Sequence, residues 1–328
     1  MTSNEISKQY AAVSAIYEQL KDEIVFILET ELAKSGIAVH LIEGRVKTWN
    51  SLLDKARRQE LEDPLEAQDI CGIRVITLFM SDLEKCRKII SEVFEIDTVD
   101  EKISEQPETQ FDYMSNHYIG KLPESFSGPR YDAIKDLKFE IQVRTIAMHS
   151  WATISHYLDY KSQNAIPTHL RKEFYALNAL FYLADSHFEQ FFQSSQEARE
   201  ITLEKSQSEE GISDEEINYD TVRTYLRQNY RDRRSGGPAE FSKIVDELVA
   251  ADYQHISELE TDLQRAEPAF KSYEVETKSY GHFYDVGVVR ISLEMVNPKY
   301  LEVRRSIYAG NGIDYPAPYE KYRKLISP

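Results

Sequence analysis

The distribution of apolar residues predicts alternating helices and strands over the first 200 residues. Apolar side chains recur every three or four positions from Ile6 to Leu32, which is typical of an amphipathic helix, and Ser35 and Gly36 end the repeat. Further helices are predicted at 49–60, 81–93, 145–160 and after Pro167, and strands at 37–42, 70–79, 94–99, 115–122 and 136–143. This order predicts an α/β (α+β) fold with a mixed β-sheet flanked by helices.

The remainder of the chain has mainly helical periodicity. A polar stretch at 204–211 is predicted as a linker, which divides the chain into domains 1–203 and 212–328. No catalytic motif is recognisable in the second domain. Its role therefore stays open between an oligomer interface, an inhibitor of the active site and a sensor for a partner.

Three local patterns in the second domain carry specific expectations. Ser213 and Glu216, flanked by two isoleucines, have the spacing of a capping box with a hydrophobic staple and predict a helix that ends near Asn229. One further helix is expected to carry the apolar residues from 241 to 263. Residues 284–291 are possible strands, because the helical pattern weakens beyond Pro268.

Composition and charge narrow the class of protein. The chain has 328 residues, of which 41% are hydrophobic and 29% charged, and a net charge of -17. This charge argues against general nucleic-acid binding, which requires a basic face. Cys71 and Cys86 have no metal or redox spacing, and neither a signal peptide nor a membrane span is visible. The sequence therefore predicts a soluble cytoplasmic protein.

One short segment reverses the acidic character of the chain. Five cations lie within fourteen residues that contain a single acid: Arg45, Lys47, Lys55, Arg57 and Arg58. Arg45 and Lys47 lie at a predicted strand end, and Ser51 and Lys55 lie one turn apart at a helix start. Such a segment suits an anionic ligand, because a helix start adds free N–H groups; a solvated helix face is the alternative.

Two carboxylates accompany predicted strands. Asp69 precedes one strand, and Glu140 alternates with apolar residues on another, together with Gln142 and Arg144. Carboxylates on neighbouring strands with cations nearby suit a divalent metal and a polyphosphate. The alternatives are a turn cap for Asp69 and a plain exposed face for Glu140. Arg74 should face away from Asp69 unless the strand starts after Asp69.

A third polar row lies on a predicted strand that comes between Asp69 and Glu140 in the sequence. Tyr113, Ser115 and His117 share one face of this strand. A ring, a hydroxyl and an imidazole can stack on and hydrogen-bond a nucleotide. Solvent-facing strand residues are the alternative.

In order and spacing, these motifs resemble the synthetase domain of the RelA/SpoT family, the alarmone synthetases, over about residues 36–200. The matching motifs are Gly44-Arg45-x-Lys47-x-x-x-Ser51-x-x-x-Lys55, Asp69-x-x-Gly72-x-Arg74, Tyr113-x-Ser115-x-His117, Glu140-x-Gln142-x-Arg144-Thr145 and the Met148-His149 that follows. The resemblance implies a nucleotidyltransferase-like sheet. It also implies a GTP pyrophosphokinase that transfers pyrophosphate from ATP to the 3′-hydroxyl of GDP or GTP, making (p)ppGpp.

The resemblance also implies roles for single residues. Asp69 and Glu140 would bind Mg²⁺, and Glu140 would accept the proton of the acceptor hydroxyl. Five residues fall at ATP-binding positions: Arg45, Lys47, Ser51, Lys55 and Arg74. Five others fall on the acceptor side, with the tyrosine stacked on guanine: Tyr113, Ser115, His117, Gln142 and Arg144.

Departures from the family pattern leave rival functions open. Asp112 stands where the family usually has glycine before the tyrosine, and residues 100–110 are acidic where many relatives are basic. A toxic branch that pyrophosphorylates the 3′ end of tRNA, an inactive nucleotide sensor and a nucleotidyltransferase with another substrate are the alternatives. No His-Asp hydrolase motif occurs, so synthesis without hydrolysis is expected. The sequence leaves a homo-oligomer possible and predicts no membrane partner.

Overall fold

The computed structural model describes residues 3–101, 115–158, 166–208, 211–277, 283–310 and 319–326. The chain forms two compact units, Met1–Gln193 and Ser194–Pro328. The boundary falls inside a helix, Arg171–Gln207. Residues 204–207 therefore continue that helix, and the linker predicted to begin at 204 is wrong at its start.

The first unit contains a five-stranded sheet and its helices. In chain order the elements are α1 (Ser3–Lys34), β1 (Val39–Val46), α2 (Trp49–Gln59), β2 (Cys71–Thr77), α3 (Ser81–Val93), β3 (Glu95–Glu101), β4 (Asn116–Lys121), β5 (Phe139–Thr145), α4 (Ile146–Tyr157) and α5 (Arg171–Gln207), with 3₁₀ turns at Pro64–Glu66 and Thr168–Leu170. The sheet order is β1-β2-β5-β4-β3. Only β2 and β5 run parallel; the other neighbours are antiparallel. The predicted mixed sheet flanked by helices is thus confirmed.

The two central strands separate a core face from a polar face. Ile73 and Val75 of β2 and Ile141 and Val143 of β5 are fully buried, and α1 packs against β1 and β2 through residues such as Leu28. The intervening positions of β2 and β5 are only partly buried. Because side chains alternate along a strand, the polar residues of both strands share the opposite face of the sheet.

The described part of the second unit is helical, as predicted. After the end of α5, its helices are α6 (Tyr219–Asn229), α7 (Pro238–Ala250), α8 (Ile256–Thr277), α9 (Asp285–Val296) and α10 (Pro298–Gly310), followed by a 3₁₀ turn at Arg323–Leu325. Their apolar sides form one large cluster and one smaller cluster. Within the described ranges, no helix of either unit has the length and apolar character that a membrane crossing requires.

The predicted helix start at Ser213 is wrong. Backbone bonds join Ile217 N to Gln254 O (2.8 Å) and Ser257 N to Ser213 O (2.7 Å), so this segment pairs with the chain around the start of α8. The helix begins at Tyr219 instead, because Asn218 accepts bonds from the backbone N–H groups of residues 220 and 221 at 3.0 Å.

The single helix expected through 241–263 is two helices. After α7, Asp252 adopts a left-handed conformation (φ 67°) that turns the chain before α8 begins. Ile244 and Ile256, on either side of this turn, are both fully buried in the same cluster. An apolar period cannot distinguish one helix from two helices that line the same core.

The strands suggested at 284–291 are also wrong, because this segment opens α9. Val286, Val289 and Leu293 are fully buried, and α9 packs against α6, α7, α8 and α10. A helix that is buried around most of its circumference has a continuous apolar sequence, which resembles a buried strand.

Candidate active site

Strand register brings the predicted site residues together on the polar face of the sheet. Arg45 lies opposite Gly72, which lies opposite Glu140. Two positions further along these strands, Arg74 lies opposite Gln142, which lies opposite His117 of β4. The motifs are distant in sequence, yet they form two adjacent rows across four strands.

Asp69 lies at the edge of this face, just before β2. Because β2 starts at Cys71, Asp69 is outside the alternation of the strand, and Arg74 instead shares a face with Gly72. Asp69 is 9% exposed. Its Oδ2 atom pairs with the ammonium groups of Lys47, directly after β1, and of Lys55 on α2 (2.6 Å).

The Asp69 carboxylate is charged but incompletely bonded. Burial opposes its ionisation, but the hydrogen bonds from Lys47 and Lys55 outweigh burial and lower the pKa of Asp69 below its ordinary value. Burial lowers the pKa of Lys47, and Asp69 partly offsets this. The second oxygen, Oδ1, is buried and has no hydrogen-bond partner among the described residues.

Glu140 belongs to a closed ring of five hydrogen-bonded side chains, which we call the β4–β5 ring. His117 Nδ1 lies 2.9 Å from Glu140 Oε1, and Gln142 Nε2 donates to Glu140 Oε2 at 2.8 Å. Arg144 Nη2 donates to Gln142 Oε1 at 2.7 Å and to Ser115 Oγ at 3.3 Å. Ser115 Oγ and His117 Nε2, 2.6 Å apart, complete the ring.

The ring also sets the charge of Glu140. Burial raises the pKa of this carboxyl group, but His117 and Gln142 outweigh burial, so the pKa of Glu140 is below its ordinary value. Burial and the nearby Arg74 lower the pKa of Arg144 to about 10, which leaves its guanidinium group protonated at neutral pH. Both carboxylates of the site are therefore ionised.

Two adjoining clefts open onto these residues. The smaller, of about 190 Å³, is lined by both carboxylates, and the larger, of about 760 Å³, is lined by Asp69 but not by Glu140. The smaller cleft is otherwise lined by Glu43, Gly44, Arg45, Lys47, Gly72, Ile73, Arg74 and Gln142. The larger includes Arg45, Lys47, Ser51, Lys55, Arg58 and His156. Both clefts that Asp69 lines are thus also lined by arginine and lysine side chains.

The donor set fits Mg²⁺. No group of three or more His, Cys, Asp or Glu side chains with metal-binding geometry occurs in the described ranges. Mg²⁺ is usually held by one or two carboxylates together with waters and substrate phosphates. The free Oδ1 atom of Asp69 and the ionised Glu140, lining one cleft with several cations, match that requirement.

The structure brings together most of the residues singled out from the sequence. Six of them line the smaller cleft: Arg45, Lys47, Asp69, Arg74, Glu140 and Gln142. Ser51 and Lys55 line the larger cleft, and Ser115, His117 and Arg144 belong to the β4–β5 ring. Tyr113 lies outside the described residues.

Two further side chains near this site have no recognisable signal in the sequence. Glu43 pairs with Arg74 at 3.1 Å, which strand register alone makes visible. Asp185 of α5 is fully buried and accepts a bond from Thr145 Oγ1 at 2.6 Å, at the end of β5. Because Thr145 also caps α4, this contact holds the junction of strand and helix beside the site.

Known proteins resemble this chain in sequence. A family model described as "Region found in RelA / SpoT proteins" matches residues 44–165. The chain is 31% identical over 170 residues to GTP pyrophosphokinase YjbM of Bacillus subtilis (strain 168), covering 49% of this chain and 77% of that protein. It is 30% identical over 136 residues to GTP pyrophosphokinase YwaC of the same strain, covering 40% of this chain and 63% of that protein.

Among solved structures, small alarmone synthetase 1 from Bacillus subtilis superposes with a TM-score of 0.49 at 25% identity, covering 58% of this chain and 99% of that chain. The match to YjbM, at 31% identity over 77% of that protein, is extensive enough to assign the family. The chain belongs to the RelA/SpoT family.

Proposed function

We propose that this chain is a GTP pyrophosphokinase that transfers pyrophosphate from ATP to the 3′-hydroxyl of GDP or GTP, making (p)ppGpp and releasing AMP. Family membership and the similarity to two proteins named GTP pyrophosphokinase support this. The observation that carries the proposal is the pair of ionised carboxylates, Asp69 and Glu140, that line one small cleft among cations. Because the chain contains no His-Asp hydrolase motif, we propose synthesis without hydrolysis.

The larger cleft is the proposed site of the ATP phosphates. Lys47, Lys55 and Ser51 line it, and Ser51 lies in the first turn of α2, where backbone N–H groups are available to an anion. Two cations that now pair with Asp69 would then meet phosphate oxygens. Their compact ammonium groups suit a polyphosphate as mobile point charges.

The purine of ATP is proposed to lie over Gly72. A Cβ atom added at this residue would meet nothing within 4 Å, so the space above the strand is open. Arg45, opposite Gly72 on β1, and Arg74, two residues along β2, both line the cleft at this point. Planar guanidinium groups stack on aromatic rings, so these arginines suit a flat base.

Asp69 Oδ1 and Glu140 are the proposed ligands of Mg²⁺. When bound, the ion would stabilise negative charge on the transferred pyrophosphoryl group. Glu140 is also the proposed general base for the acceptor hydroxyl, a role worth about 10²–10⁴-fold in rate. His117 and Gln142 orient this carboxylate, and Tyr113 is the proposed platform for guanine.

The test is a transfer assay with γ-labelled ATP and Mg²⁺, in which GDP, GTP, ATP and deacylated tRNA are offered separately to the purified chain. We expect label on a guanosine nucleotide, and loss of transfer in Asp69→Asn and Glu140→Gln. Arg57→Gln is a matched control, because this arginine has 76% of its side chain exposed. Label on tRNA alone would replace the proposed acceptor, and absence of transfer to all acceptors would favour a nucleotide sensor.

A further inference from the structure

In the β4–β5 ring, the bonds made by Arg144 and Gln142 have a fixed direction. Arg144 can only donate, since a guanidinium group has no acceptor atom. Its Nη2 atom reaches both Gln142 Oε1 and Ser115 Oγ. The Gln142 amide must therefore present its oxygen to Arg144 and its NH₂ group to Glu140, as observed.

The second arm of the ring runs through the histidine. Because Ser115 Oγ accepts from Arg144, its own proton is available to His117 Nε2 at 2.6 Å. Nδ1 carries a ring proton, because the ionised Glu140 can only accept, and the Ser115 proton can be donated to Nε2. Nδ1 donates its ring proton to Glu140 Oε1 at 2.9 Å.

Both arms begin at one guanidinium group and end on one carboxylate. Glu140 receives a donor on each oxygen, and each donor is oriented by Arg144, directly through Gln142 or indirectly through Ser115 and His117. Arg144 is 7% exposed, and neither cleft at the site is lined by it. The acceptor-binding role that the sequence resemblance implies for Arg144 stays a prediction.

We propose that Arg144 is a positioning residue that orients the general base Glu140 through two hydrogen-bonded arms, and that the Ser115 arm holds His117 in the Nδ1–H tautomer. This proposal rests on the proposed function for its catalytic consequence, but its structural part does not. Removal of Arg144 should release the Gln142 amide and the Ser115 hydroxyl, so that Glu140 loses its fixed orientation while the clefts keep their lining residues.

The structural part is tested by ¹⁵N NMR of histidine-labelled full-length protein at neutral to mildly alkaline pH. His117 is one of eight histidines, and its signals are assigned by their absence in His117→Gln. We expect the neutral Nδ1–H tautomer in the wild type, and a shift of the population toward Nε2–H in Ser115→Ala. An Nε2–H tautomer in the wild type, or an unchanged tautomer in Ser115→Ala, would overturn the proposal.

The catalytic part is tested by steady-state kinetics of Arg144→Lys and Arg144→Met, with folding checked by circular dichroism. We expect kcat to fall by about 10–100-fold while the KM values for ATP and the guanosine nucleotide stay within about twofold. Arg144→Lys should retain more activity than Arg144→Met, because the ammonium group keeps the charge and part of the bonding. Ser115→Ala, which removes one arm only, should lower kcat less.

The outcomes separate this proposal from the proposed function. A rise in acceptor KM with unchanged kcat in Arg144→Lys would return Arg144 to acceptor binding and overturn the positioning role. If the wild type transferred no pyrophosphate, the proposed function would fail. The NMR arm would still decide whether Ser115 sets the tautomer of His117.

Discussion

Asp69 in the first unit and Glu247 in the second are both buried carboxylates surrounded by cations, but their hydrogen bonding differs. Glu247 of α7 is 4% exposed and receives two bonds from Arg290 of α9, at 2.8 and 2.9 Å. Arg304 and Tyr300 of α10 add bonds at 2.9 and 2.6 Å. Both oxygens of Glu247 are thus occupied, whereas Asp69 accepts both lysines on Oδ2 alone and leaves Oδ1 without a partner.

Under the proposed function, this difference separates a carboxylate that joins helices from one that binds a ligand. A buried polar atom without a partner costs about 1–3 kcal/mol, so bonding of both oxygens is expected where a carboxylate contributes to stability. Glu247 conforms to that expectation and links three helices of the second unit. Asp69 departs from it at the point where the proposed metal and phosphates would supply the missing partner.

The strongest test of this comparison replaces each carboxylate by its amide and measures activity. Asp69→Asn should lower pyrophosphate transfer by about 10²–10⁴-fold, because a metal contributes several kcal/mol to transition-state stabilisation and each 1.36 kcal/mol is tenfold in rate. Steady-state transfer from γ-labelled ATP is the measurement. Asp22→Asn is the control, since its side chain is 76% exposed on α1. Comparable activity of Asp69→Asn and the control would show that Asp69 is structural, like Glu247.

The reverse effect is expected for stability. Glu247→Gln should lower the free energy of unfolding by about 3–5 kcal/mol, because removal of one charge from a buried network leaves Arg290 and Arg304 undercompensated. Asp69→Asn should cost less, since Lys47 and Lys55 line an open cleft and can be hydrated. Urea unfolding followed by far-UV circular dichroism measures both.

The control for the stability test is an exposed ion pair of the same unit. Glu267→Gln breaks a pair with Lys271 in which both side chains are more than half exposed, so a loss below about 1 kcal/mol is expected. Equal losses in Glu247→Gln and Glu267→Gln would mean that saturation of the buried carboxylate contributes nothing to stability.

The two carboxylates also show how far the sequence could predict the site. The row of Glu140, Gln142 and Arg144 is visible because strand alternation is local, and Asp69 was found by its place before a strand. Glu247 carried no such signal, since its partners lie 43 to 57 residues away and only the packing of α7, α9 and α10 brings them together. The ring through Ser115 likewise required strand register.

The errors in the predicted fold also arise because long-range contacts are not visible in the sequence. The apolar residues of α9 match a buried strand as well as a buried helix, and only its neighbours decide between them. At Ser213 the capping pattern is present in the sequence, but long-range backbone bonds to residues 254–257 prevail. The first unit was predicted more accurately because its helices and strands alternate and most have local start and stop signals.

The two carboxylates of the site should make the stability of the first unit depend on acid pH. The pKa values of Asp69 and Glu140 are lowered on folding, so their stabilisation is fully present above the unfolded values of about 4 and is lost as pH falls through the lower folded values. The free energy of unfolding should therefore fall below about pH 4, and Asp69→Asn should flatten this dependence. Both tryptophans, Trp49 and Trp151, lie in the first unit, so tryptophan fluorescence during urea unfolding reports on it. An unchanged slope in Asp69→Asn would contradict the lowered pKa.

The smallest expected effects concern helix starts, where the same contrast recurs. Asn218 accepts two backbone N–H bonds at 3.0 Å at the start of α6, whereas Thr48 accepts a single longer bond, 3.4 Å, at the start of α2. Asn218→Ala should therefore cost about 1 kcal/mol of stability, and Thr48→Ala a few tenths. If the start of α2 is kept incompletely capped for ATP phosphates, Thr48→Ala should leave the KM for ATP within about twofold, whereas Asn50→Pro, which removes a first-turn N–H that the Thr48 cap does not occupy, should raise it. Equal stability losses in Asn218→Ala and Thr48→Ala would show that the start of α2 is as well capped as that of α6. The contrast between ligand site and structural site would then rest on Asp69 and Glu247 alone.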